Sequence, residues 1–127
     1  MGLLDGLLGN ASEMDPASIQ QEFGQILARG ETVVQAYQIL RDFCVFTTKR
    51  LVLVDKQGLT GKKVEYHSIP YKSITHFSVE TAGHFDLDAE LKIWISGRTE
   101  PFQRQFTAKL NIYQVQAVLA AHVLGLE

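Results

Sequence analysis

The chain is poor in the residues that staple or interrupt a fold, with one cysteine, three prolines and one tryptophan in 127 positions. Cys44 has no partner for a disulfide within the chain, and its place between Phe43 and Val45 marks it as a buried, reduced thiol. That excludes a disulfide-stapled secreted miniprotein and points to a cytoplasmic setting. No apolar run approaches the ~20 residues that a membrane-spanning helix needs. The start Met1-Gly2-Leu3-Leu4-Asp5 lacks the basic stretch of a secretory signal, and Gly6 stands where an acylation site needs Ser or Thr. Charge of one sign is missing too: 12 bases against 14 acids leave a formal −2. Any attraction to nucleic acid or to an anionic membrane must therefore come from a local patch. His67, His76 and His122 are scattered outside any known nucleophile or acid–base motif, so the expectation is a protein that is not an enzyme and holds no metal or cofactor.

What is present is the material of one soluble domain, 46% hydrophobic and 20% charged. Residues 1–30 stand apart as an N-terminal helical extension, with Asp5, Glu13, Asp15 and Glu22 against Arg29 alone. Two short helices are expected there. Leu3, Leu4, Leu7 and Leu8 make a narrow apolar stripe on barely two turns, marginal alone in water and in need of something to pack against. Asp15 before Pro16 is a good N-cap for a second helix, carried by Ile19, Phe23, Ile26 and Leu27 until Gly30 stops it.

Residues 31–127 form the domain proper. Its clearest segment is 85–95, where Phe85, Leu87, Ala89, Leu91, Ile93 and Ile95 alternate with polar residues and Trp94, the period of a half-buried strand. Seven strands are expected over 32–40, 43–48, 51–55, 64–69, 74–81, 85–96 and 102–109. The connections are too short for helical crossovers, which favours an antiparallel meander. Asn111 then caps an amphipathic helix whose apolar face holds Ile112, Val115, Leu119, His122, Val123 and Leu126. The fold class is mainly β (α+β): a seven-stranded antiparallel barrel or sandwich capped by a C-terminal helix.

This order of elements resembles the pleckstrin-homology (PH) superfold. The segments Thr47-Thr48-Lys49-Arg50-Leu51-Val52-Leu53-Val54-Asp55 and Ile69-Pro70-Tyr71-Lys72-Ser73-Ile74 look like those of the bacterial PH-domain family, formerly a domain of unknown function. The resemblance covers most of 30–124. It implies a PH-like domain without catalytic residues that assembles into homo-oligomeric rings, with a pentamer as the size to test. Phosphoinositide-binding PH domains cluster Lys and Arg around the first hairpin. Here that turn reads Leu40-Arg41-Asp42-Phe43, one base beside one acid, so the resemblance does not extend to inositol phosphates.

Two charged segments are the candidates for contact. Residues 49–72 hold six bases against Asp55 and Glu65, a local +4, and Lys49, Arg50, Lys62 and Lys63 form a candidate anion or lipid patch. The competing reading is solvated turns with lysines guarding strand edges. The run Gly58-Leu59-Thr60-Gly61-Lys62-Lys63 lacks the spacing of a phosphate loop and is read as a hairpin connection. Residues 80–90 are locally −4 through Glu80, Asp86, Asp88 and Glu90. His84, Asp86, Asp88 and Glu90 share a strand face, but side chains spaced about 6.5–7 Å apart are too spread for one ion, so this is a solvated face. Trp94, on the polar parity of its strand, is expected to lie at an interface or beneath the N-terminal helices.

The candidate oligomer interface is Leu3, Leu4, Leu7, Leu8, Trp94, Asp86 and Asp88. In a head-to-tail arrangement the basic segment of one protomer meets the acidic segment of the next. The leading expectation is thus a self-associating scaffold or protein-binding platform; the alternative is a peripheral membrane or anionic-ligand binder using the 49–72 segment. Its expected partners are itself and an unidentified protein, with membrane as the weaker possibility and no nucleic acid.

Overall fold

A computed structural model describes residues 12–39, 42–57, 63–81, 89–106 and 112–126. Among the described residues, eight strands fall into two antiparallel sheets. The first holds β1 (Ser12–Met14), β2 (Val33–Ile39), β3 (Asp42–Thr47), β4 (Arg50–Gln57) and β5 (Lys63–Pro70), in chain order. The second holds β6 (Ile74–Thr81), β7 (Ala89–Ile95) and β8 (Phe102–Phe106). Each neighbouring pair is consecutive in sequence, as short connections require. Two separate sheets make a sandwich rather than a closed barrel.

The first sheet is covered on both faces. On β3, Cys44 and Phe46 point into the inter-sheet core while Phe43 and Val45 point the other way; on β4, Leu51 and Leu53 oppose Val52 and Val54 in the same manner. The outer residues pack under helix α1 (Pro16–Glu22) through Ile19 and Phe23, whose ring meets that of Phe43 edge-on at 5.5 Å. Strands buried on both faces lose the period-two signature and read as continuous apolar runs. The second sheet keeps it: on β7, Ala89, Leu91 and Ile93 are buried while Glu90, Lys92 and Trp94 are only partly covered. The inter-sheet core is completed by helix α2 (Ile112–Val123), which inserts Ile112, Val115 and Leu119.

All seven expected strands are present, with boundaries shifted by a few residues. Three features differ from the expectations. Residues 12–14 form a short strand paired with Ala36, Tyr37 and Gln38, too short and polar to show any alternation. The helix capped by Asp15, whose side chain accepts from the Ser18 N–H at 3.3 Å, ends at Glu22 rather than near Gly30, and a 3₁₀ turn follows over Gly24–Ile26. Gly24 sits where a longer helix would have needed a better helix former. Leu126 falls off the α2 stripe and is 62% exposed, because the helix ends at Val123, three residues earlier. The Leu3 to Leu8 helix, the Asn111 cap and the start of the 85–96 strand lie outside the described residues.

Candidate functional site: a basic cleft around a buried ion pair

Thr47 closes β3 and Arg50 opens β4, so their side chains meet across a tight turn. The Thr47 hydroxyl accepts the Arg50 N–H at 3.0 Å and donates to Glu31 Oε2 at 2.5 Å. Glu31 enters from the segment before β2. Its position follows from Gly30, whose φ of +86° is cheap only for a residue without a Cβ. Arg50 then clasps the carboxylate with two donors, Nε to Oε2 at 2.8 Å and a terminal nitrogen to Oε1 at 3.0 Å. Its remaining donors go to the Ser68 hydroxyl at 2.7 Å and the Ile26 carbonyl. The Ala28 N–H adds a further bond to Glu31 at 2.9 Å. Hydrogen bonds from Arg50 hold the Glu31 carboxyl down at about 2, against desolvation that acts the other way.

Above this pair lies a cleft of about 990 Å³, walled by residues 26–31, 48–50, 70–72 and 122–125. Tyr71 and His122, both in its wall, stack on one another with ring centroids 4.5 Å apart, and the Tyr71 hydroxyl donates to the Thr47 carbonyl at 2.7 Å. Burial raises the Tyr71 phenol well above its ordinary range, which leaves that hydroxyl a donor. Four bases and one acid line the cleft. Since Arg50 neutralises Glu31, the exposed Arg29, Lys49 and Lys72 leave the rim at +3. Such a site attracts an anion electrostatically, with apolar walls to accommodate whatever carries it.

The structure divides the expected anion patch. Lys49 is exposed at the cleft, whereas Arg50 is committed to Glu31, Ile26 and Ser68 and is not a free cation. Lys63 is exposed but pairs with Gln57, seven residues along β4 from Arg50, and so lies about 23 Å from that end. Lys62 lies outside the described residues, as do Leu3, Leu4, Leu7, Leu8, Asp86 and Asp88. Trp94 is half-buried on the outward face of the second sheet, stacked on the exposed His76 ring at 4.4 Å. Helix α1 packs on the first sheet and therefore does not cover it. His67 meets Phe102 rather than His76.

Sequence reasoning did not connect Arg29, Glu31, Tyr71 and His122 to a site, although Tyr71-Lys72 belonged to a segment already conspicuous. The usable signal was a lone base and a glycine stop directly before an acid, which together place a charged side chain at the mouth of the first long strand.

A partly buried carboxylate provides a contrast. Asp55 on β4 accepts from Arg104 on β8 at 3.0 Å and so ties the two sheets. Its pKa nevertheless moves up, because desolvation outweighs the single arginine and Asp42 adds repulsion. Burial likewise pushes the Cys44 thiol up to about 12, which makes it inert as a nucleophile. Among the described residues no group of three His, Cys, Asp or Glu side chains is placed to hold a metal ion.

The chain is similar to known proteins along nearly its whole length. The uncharacterized protein YjqA of Bacillus subtilis (strain 168) is 61% identical over 122 residues, covering 95% of this chain and 98% of its own. The uncharacterized protein YozO of the same organism is 34% identical over 98 residues, covering 77% and 83%. The crystal structure of a pleckstrin homology domain from Shewanella amazonensis SB2B superposes with a TM-score of 0.83 at 53% identity, covering 98% of this chain and all of that one. That of a DUF1696 family protein with a pleckstrin-homology domain from Shewanella loihica PV-4 gives 0.80 at 51%, covering 91% and 98%. The family model described as bacterial PH domain matches residues 2–123, and with the sandwich and capping helix in place the chain belongs to that family.

Proposed function

We propose that this chain is a non-enzymatic interaction module whose working surface is the basic cleft, where it holds an anionic group of its partner. The observation that carries this reading is the division of labour among the cleft's cations: Arg50 is consumed in building the floor, while Arg29, Lys49 and Lys72 stay exposed around an apolar hollow. A cytoplasmic, peripheral location belongs to the same proposal, supported by the unpaired buried thiol of Cys44. Among the described residues no helix is long and apolar enough to cross a membrane. The test is a titration with inorganic pyrophosphate followed by amide NMR. Saturable shifts confined to Arg29, Lys49, Lys72 and Gly125, and lost in the Lys49→Glu/Lys72→Glu double variant, are the expected result; no shift at these residues would overturn the reading.

Self-association into a scaffold is the second reading, favoured by the half-buried Trp94 stacked on His76 on an otherwise polar sheet face. A large aromatic left partly uncovered is the usual anchor of a protein contact. Light scattering of the full chain is expected to give a mass above that of one protomer, reduced in Trp94→Ala. A monomer at every concentration would reject it.

A further inference from the structure

Helix α2 ends beside the cleft in a way that leaves apolar surface in water. Gly125, at φ +73°, turns the chain out of the helix, and the Leu126 N–H returns to the Ala121 carbonyl at 2.7 Å while the Gly125 N–H reaches His122 at 3.4 Å. In this capping arrangement the residue after the glycine ordinarily folds back onto the last turn and covers itself. Here Leu126 remains 62% exposed, and Leu124, which lines the cleft, is 65% exposed. Single exposed leucines are ordinary on any surface. Two of them within three residues, fixed by a backbone cap and set beside Arg29, Lys49 and Lys72, are a pattern that calls for an interface.

We propose that this end of the molecule docks onto an anionic bilayer, with Leu124 and Leu126 entering the headgroup region and Arg29, Lys49 and Lys72 meeting lipid phosphates. The inference rests on the reading of the cleft as an anion site and assigns the anion to a membrane surface.

Two features favour a bilayer over a folded or peptide partner. The rim cations are exposed and long, which suits a diffuse field of phosphates. The rim is also at +3 in a chain whose formal net charge is −2, so the attraction to a negative surface is local to this face. Leucine tips flanked by bases then add apolar transfer to electrostatic attraction.

The experiment uses the full chain and vesicles of phosphatidylcholine alone or mixed with phosphatidylglycerol, with co-sedimentation beside the pyrophosphate titration. Binding to the mixed vesicles only, weakened by salt, is expected. The Leu126→Ser variant, neutral and outside the cleft lining, is expected to weaken vesicle binding several-fold while keeping its pyrophosphate shifts. The Lys49→Glu/Lys72→Glu variant should lose both. If pyrophosphate binds and mixed vesicles do not, the membrane inference is overturned while the cleft reading stands. If neither binds, both fall. Undiminished vesicle binding by the Leu126→Ser variant would overturn the insertion of this leucine tip.

Discussion

The two sheets use their side chains differently. In the five-stranded sheet both faces of β3 and β4 are buried, one against the second sheet and one beneath α1, so every residue from Phe43 to Thr47 and from Leu51 to Val54 is buried. In the three-stranded sheet only alternate positions are, and Glu90, Lys92 and Trp94 face outward. Substitutions should therefore be costly at every position from Phe43 to Thr47 and from Leu51 to Val54 and at every second position of β7.

The largest expected break is at the shared core. Phe46→Ala should cost about 3–5 kcal/mol in denaturant unfolding, a large part of the stability of a small domain. Next comes Glu31→Gln, which leaves the partly exposed Arg50 against a neutral partner; a loss of about 1.5–3 kcal/mol is expected from the weakened charge-assisted hydrogen bonds. The pH profile sharpens this, since the Glu31 carboxyl titrates at about 2 in the folded chain against an ordinary 4.5. A depressed carboxylate contributes stability that is complete above its unfolded value and disappears as pH falls toward its folded one. Acid unfolding should accordingly steepen below 4.5, and Glu31→Gln should flatten that part of the curve.

A smaller effect tests the comparison directly. Val52→Ala, on the α1 side of β4, should cost about 1–2 kcal/mol, whereas Lys92→Ala, on the outward face of β7, should stay within about 0.5 kcal/mol. Equal costs would mean that α1 does not cover the first sheet in solution. On the same outward face Trp94→Ala should cost more than Lys92→Ala, about 1 kcal/mol from the lost stack on His76, measured in the monomer by thermal unfolding.

Much of this architecture was legible because the second sheet and α2 carry clean periodicities: the Ala89, Leu91, Ile93 alternation and the Ile112, Val115, Leu119 spacing both lie as read. The Asp15-Pro16 cap was legible for the same local reason. Strand β1 was not, since three residues carry no period. The cleft was hidden because Glu31, Arg50, Tyr71 and His122 come from four separate segments and meet only after the sandwich has formed. Counting charge along 49–72 gave one basic patch, whereas an extended strand separates Lys49 from Lys63 by most of its length.

The order of the elements has a consequence for how the chain is made. Apart from the β1–β2 connection, which carries α1, each sheet is a run of strands paired with their sequence neighbours, formable as soon as they emerge from the ribosome, yet Phe46, Leu53 and Phe106 share their core with Ile112, Val115 and Leu119. A nascent chain that has finished both sheets but not the closing helix presents the apolar inner faces of two paired sheets to solvent. Nascent chains arrested before residue 112 should therefore bind chaperones more strongly than those arrested after the helix is complete.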